Sequence, residues 1–156
     1  MENIDKAYNE FNLSRFERKI GYIFHNRNLL VTALTRKSYT NENEVPWNNN
    51  EALEFLGDCV LQLIISQQLF EKNSDVKDLT NLRQNQVKNI HIAGLIKLLK
   101  IDDHLLLGKG ERAAMAALGV EFWANLYESI LAAIYLDSKS LEPAKLFLER
   151  LGGLPL

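Results

Sequence analysis

The sequence predicts an all-α domain, and three observations carry that reading. Apolar residues recur at helical intervals along most of the 156 residues. No stretch alternates apolar and polar residues over a useful strand length. Pro46, Gly108, Gly110 and Gly152-Gly153 fall between the periodic segments, where chain breaks belong. With 47% hydrophobic residues the chain can bury a core of its own, and one domain over residues 1–156 is expected.

The elements follow in order. Ser14-Arg15-Phe16-Glu17 has the spacing of a capping box, so a first helix is expected from Ser14 to about Phe24. A second fits Leu29–Thr35. Residues Tyr39–Asn50 are polar and contain Pro46, which reads as a loop ending in an Asn48-Asn49-Asn50 cap. That cap opens a long helix beginning EALEFLGDCVLQL, residues 51–63. Helical periodicity resumes over Leu79–Asn89 and Ile90–Lys100, breaks between Asp102 and Glu111, and returns over Leu118–Leu136. Ser140 and Pro143 suit the first turn of a last short helix, which Gly152-Gly153 would stop.

Composition narrows the function classes. The longest uninterrupted apolar runs, such as Ile130–Leu136, are too short to span a bilayer, and the polar start MENIDKAYNEFN does not resemble a signal peptide. A soluble, cytoplasmic chain without a membrane partner is expected. The single cysteine, Cys59, excludes an intramolecular disulfide and reads as a small buried hydrophobe. A net charge of −2 argues against generic polyanion binding, although Lys77, Arg83, Lys88, Lys97, Lys100, Lys109 and Arg112 form a locally basic run. Such a run is either a nucleic-acid surface or an ordinary solvated helix face.

Chemistry concentrates in two acidic segments. Glu51, Glu54 and Asp58 stand at i, i+3 and i+7 of the long helix, beside the apolar positions Leu53, Leu56, Val60 and Leu63. Some sixty residues later ANLYESILAAIYLD places Asn125 and Glu128 one turn apart in an otherwise apolar helix. Glu54, Asp58 and Glu128 are enough hard oxygen donors for magnesium, which takes one or two carboxylates and leaves positions for water and substrate phosphate. Such a site suits metal-assisted hydrolysis of a phosphodiester. The alternative is an exposed acidic stripe with no ligand. His25, His91 and His104 lack paired ligand spacing and read as surface or capping residues. Gly108-Lys109-Gly110 reads as a turn, or as a backbone approach to phosphate. Tyr39 and Trp47 either contact nucleic-acid sugar or bases or cover the core.

EALEFLGDCVLQL resembles the signature helix of bacterial ribonuclease III. ERKIGYIF, NLLVTALTRKSY, LTNLRQNQVKN, LLLGKGE and NLYESILAAIYLD also stand in the family's order, so the resemblance covers about residues 16–150. It implies a helical endonuclease domain that works as a homodimer on double-stranded RNA, with Mg2+ as cofactor and Mn2+ as an alternative. It places Glu54, Asp58 and Glu128 on family metal and catalytic positions, Asp58 and Glu128 being the catalytic pair. Glu51 falls on a supporting acidic position, and Phe55 where the family inserts an aromatic ring into the partner subunit. A core position is the other reading of Phe55.

Two departures bear on activity. Asn125 stands where the family has a metal-binding aspartate, retaining an oxygen ligand and losing a charge. At an effective dielectric near 20, two unit charges about 4 Å apart interact by roughly 4 kcal/mol, so weaker cation binding and slower hydrolysis are expected. The double-stranded-RNA-binding domain that usually follows the catalytic domain is not among these residues. Asn125 favours a rival reading, a catalytically silent homologue that binds RNA or protein as an assembly component, which the three retained carboxylates oppose.

Overall fold

The computed structural model describes residues 10–72, 75–86 and 89–152. Among the described residues the chain forms nine α-helices and no strand. They are α1 (Glu10–Ile20), α2 (Arg27–Leu34), α3 (Lys37–Glu42), α4 (Glu51–Lys72), α5 (Val76–Gln86), α6 (Asn89–Leu98), α7 (Lys109–Ala113), α8 (Val120–Ser138) and α9 (Leu141–Arg150). The side chain of His91 and residue Lys88 lie outside what is described.

The central element is α8. Its residues from Phe122 to Ile134 are buried apart from Asn125, and a helix that is apolar nearly all round belongs inside a fold. It packs against α4, α6, α2 and α9. By length and composition α4 could cross a bilayer, yet its Leu53, Val60, Leu61, Ile64, Ile65 and Leu69 are buried in the domain core. A single parallel bridge between Thr35 and Leu106 clips the end of α2 to the segment before α7.

Several boundaries differ from the sequence expectation. Ser14 and Glu17 do not cap a helix, because α1 is already under way at Glu10. Glu17 is instead an interior anchor, accepting hydrogen bonds from Phe24 N–H at 3.0 Å and from Arg27 Nη2 at 2.9 Å. The helix ends at Ile20 rather than near Phe24, since Gly21 adopts φ +75, a left-handed conformation open to glycine. Part of the expected 39–50 loop is the short helix α3. The cap of α4 forms as expected, with Asn49 Oδ1 accepting from Glu51 N–H at 3.0 Å. Ser140 caps α9 through Glu142 N–H at 3.2 Å, and Gly152, again at φ +75, follows its end.

Three side chains lie elsewhere than expected or settle an open alternative. Cys59 is exposed, because it follows Phe55 by one turn on the outer face of α4. His104 is buried against the edge of the Phe16 ring, at 5.3 Å between centroids, and its pKa is lowered first by desolvation and then by Lys19 and Arg15. Trp47 is half-buried and donates its Nε1–H to Thr35 Oγ1 at 3.1 Å, so it covers the core.

α4 and α8 come into close backbone approach at Gly57. A Cβ there would stand 1.9 Å from the carbonyl oxygen of Glu128. Only glycine fits against backbone at that separation. Gly57→Ala should therefore push the two helices apart and destabilise the domain by about 1–3 kcal/mol or more, measured as a lower midpoint in chemical denaturation.

Candidate active site on α4 and α8

The position of α4 is set at its first turn. Asn50 is buried, donates its backbone N–H to Thr35 O at 2.9 Å and its side-chain amide to Ala33 O at 3.4 Å, and accepts Glu54 N–H at 2.9 Å. Ser129 of α8 donates its hydroxyl to Asn50 O at 3.4 Å and to Asn125 O at 2.8 Å. The helix that carries Glu54 and Asp58 is thus tied to the helix that carries Asn125 and Glu128.

The carboxylates differ in environment. Glu51 is exposed and pairs with Lys37 at 3.0 Å, so it lies at the rim of the group. Glu54 is half-buried; desolvation raises its pKa, Arg36 opposes this, and Glu51 and Glu121 add to it. Asp58, also half-buried, accepts a hydrogen bond from Gln62 Nε2 at 2.8 Å. Asn125 is half-buried one turn before Glu128. Glu128 itself is 8% exposed, and its pKa is pushed up to about 7, first by desolvation and then by Asp58 and Glu54. Among the described residues no three His, Cys, Asp or Glu side chains are already drawn together at metal-ligand spacing. Asp58 and Glu54 are nevertheless near enough to Glu128 to act on it electrostatically.

Two other buried carboxylates show what is unusual about Glu128. Asp137, whose side chain is 1% exposed, accepts from Tyr22 Oη at 2.7 Å, His25 N–H at 2.9 Å and Asn26 N–H at 2.7 Å. Glu17, at 2% exposed, is saturated by Arg27 and the Phe24 amide. Among the described residues no donor reaches the carboxylate of Glu128. Desolvating a carboxylate without a donor disfavours its charged form, which is why the pKa of Glu128 is raised while Asp137, ringed by donors, has a lowered one.

Sequence reasoning missed Arg36, Glu121 and Gln62. Arg36 stands 3.6 Å from Glu111 and 5.0 Å above the Phe122 ring, joining residues far apart in sequence by contacts that no local pattern announces. Glu121 could have been found, since it lies at i−4 and i−7 from Asn125 and Glu128. Gln62 follows Asp58 by one turn, the ordinary spacing of a helical side-chain pair. The Gly108-Lys109-Gly110 turn is occupied from within: Lys109 N–H donates to the Glu42 carboxylate at 3.0 and 3.1 Å, and Gly108 N–H to Ser38 Oγ at 2.9 Å. The basic run is also dispersed, with Lys97 over the Trp123 ring and Arg112 donating to the carbonyls of Asp102 and Leu105.

Residues 26–152 match the family model described as ribonuclease-III-like. The chain belongs to the ribonuclease-III-like family. It is 39% identical over 139 residues to Ribonuclease 3 of Enterococcus faecalis, covering 87% of this chain and 60% of that protein. It is 36% identical over 128 residues to Ribonuclease 3 of Nitratidesulfovibrio vulgaris, covering 81% of this chain and 51% of that one. The chain thus spans between about half and three-fifths of these curated relatives. Two solved structures of the ribonuclease III nuclease domain from Campylobacter jejuni share the fold. One has a TM-score of 0.77 at 33% identity, covering 90% of this chain and 96% of the other; the second has 0.75 at 32%, covering 100% and 99%.

The electrostatics of this ribonuclease-III-like site give a pH dependence with a definite sign. Because the folded pKa of Glu128 lies above its ordinary value, its contribution to stability is fully present below the ordinary carboxylate range and is lost as pH rises through about 7. Denaturation of the cation-free chain from about pH 5 to about pH 8 should show this loss, and Glu128→Gln should flatten it.

Proposed function

We propose that this chain is a metal-dependent endoribonuclease that hydrolyses phosphodiester bonds of double-stranded RNA as a homodimer. The observation that carries the reading is Glu128: a buried carboxylate without a donor, beside two carboxylates from a second helix. Hard oxygen donors of this kind fit Mg2+, with Mn2+ as an alternative, and the residues that would hold the ion are Glu54, Asp58, Asn125 and Glu128. Once bound, the ion supplies positive charge for the attack of water on phosphorus and for the departing ribose oxygen.

The protein's own part is orientation. Gln62 fixes one oxygen of Asp58, and Gly57 holds α4 against α8 so that Glu54 and Asp58 meet Glu128. Glu51, paired with Lys37, supports the field at the rim, and Asp58 and Glu128 are the catalytic pair. Recognition of duplex RNA would rest on A-form shape, backbone and 2′-hydroxyl contacts. At a net charge of −2 that binding should be modest, and its phosphate contacts should weaken with salt. A lone cysteine and no disulfide among the described residues suit a cytoplasmic setting.

The dimer reading rests on the outer face of α4. Phe55 is 78% exposed, and Leu63 and Phe70 are exposed further along the helix. Leu63, Leu69, Phe70, Leu79 and Arg83 line a groove of about 470 Å³ between α4 and α5. An exposed aromatic and an apolar groove on one surface suit an isologous contact, each copy's Phe55 covered by the other. One of the two Campylobacter jejuni structures is described as showing flexibility in a region involved in dimer formation of that nuclease domain. Phe55→Ala should weaken self-association by about 2 kcal/mol, roughly thirtyfold in the dissociation constant by sedimentation equilibrium.

A second reading, a silent RNA- or protein-binding assembly component, is favoured by the neutral Asn125. Cleavage of a long RNA duplex with and without magnesium decides between them. The unaltered chain should cleave slowly and Asn125→Asp about tenfold faster or more, while duplex affinity measured in calcium changes by less than about threefold. Absence of magnesium-dependent cleavage by both proteins would overturn the nuclease reading and favour the assembly one.

A further inference from the structure

A nuclease must hold the phosphate it acts on as well as cleave it, and two consecutive cations stand at the edge of the carboxylate group. Lys37 places its Nζ 3.0 Å from Glu51 Oε1, in the first turn of α4 and one turn before Glu54. Arg36 places its guanidinium 5.0 Å above the ring of Phe122, in the first turn of α8 and one turn before Asn125. The dipeptide therefore bridges the starts of the two helices whose next turns carry the site. Neither cation is firmly held by its present partner. The Lys37–Glu51 pair is exposed on both sides, and such pairs contribute little to stability. The Arg36 side chain is only 19% exposed, yet it donates no hydrogen bond among the described residues. Its Nε is buried without a partner, and Glu111, at 3.6 Å, lies beyond hydrogen-bond reach and already accepts from Ser38 Oγ. A mostly buried guanidinium with unused donors is stabilised by meeting an anion.

We propose that Arg36 and Lys37 hold the phosphodiester backbone of the duplex beside the carboxylates, Arg36 through its planar fork and Lys37 as a point charge on a flexible stem. The inference deepens the nuclease reading and rests on its choice of substrate. Glu54, Asp58 and Glu128 repel phosphate, and a chain with a net charge of −2 offers no general positive field to offset them. Cations placed next to the carboxylates answer that need. On binding, Lys37 exchanges the Glu51 carboxylate for a phosphate oxygen, and Arg36 gains hydrogen bonds that it lacks in the free chain. The ordinary role of the same residues is to fasten the start of α3 to α4 and α8. That role acts on stability alone, whereas a phosphate contact releases counterions from the duplex and shows in the salt dependence of binding.

The test is the affinity of the unaltered chain and three variants for a fluorescently labelled RNA duplex in calcium, measured by anisotropy over a series of KCl concentrations, with the denaturation midpoint of each protein. Lys37→Gln should bind the duplex about three- to tenfold more weakly and lower the slope of log affinity against log salt by about one, with its midpoint unchanged. Arg36→Lys keeps the charge and loses the fork, so binding should weaken by about threefold or more while the slope stays. Lys139→Gln, which removes an exposed charge just past the far end of α8, should change neither affinity nor slope. An unchanged slope in Lys37→Gln, an unchanged affinity in Arg36→Lys, or the same slope change in Lys139→Gln would overturn the inference while leaving the nuclease reading to its own cleavage test. Failure of the unaltered chain to bind the duplex at all would overturn both.

Discussion

The contact between Gly57 and the backbone of Glu128 is the constraint on which the rest of the molecule depends. A helix pair that close has no room for any side chain at the crossing, so the relative placement of α4 and α8 is set by backbone against backbone. The buried Asn50, tied to Ala33 and Thr35 on one side and to Ser129 on the other, holds the start of α4 and the end of α2 in register with that crossing. Carboxylates that belong to separate segments of the chain thereby share one electrostatic environment.

That environment is unfavourable for a protein concerned only with folding. The domain has the means to satisfy a buried carboxylate, as the donors gathered at Asp137 and Glu17 demonstrate. At Glu128 it gathers two more carboxylates instead. Local rules of stability are broken most often where a site must recognise something, and the carboxylates brought together by the α4–α8 crossing are such a breach.

The long helix α4 serves three surfaces at once. One face, with Leu53, Val60, Leu61, Ile64 and Ile65, enters the core; an edge carries Glu54 and Asp58; the outer face exposes Phe55, Cys59, Leu63 and Phe70. A 22-residue helix makes this division possible, because six turns give each face several positions. The outer apolar strip adjoins the carboxylate edge, so whatever covers Phe55 also lies close to Glu54.

The sequence by itself determined the helical class, the approximate extent of most helices and the two acidic segments, since periodicity and capping residues act within a few positions along the chain. It also marked Glu54, Asp58 and Glu128 as the residues of interest, from their spacing within apolar helices. It misjudged Ser14 and Glu17, because capping-box spacing is equally compatible with a helix interior whose Glu is anchored by a distant Arg27. It misjudged Cys59 and left Phe55 open, because α4 has an apolar outer face as well as an apolar inner one, and periodicity cannot say which is covered. The burial of His104 depends on Phe16, far away in the chain, and so had no local signal. Only the tertiary structure decided that Gly57 is a crossing point, that Glu128 is buried without a donor, and that the charges of Arg36 and Glu121 act on Glu54. These are properties of two helices brought together, and burial, desolvation and through-space charge exist only once that packing is made.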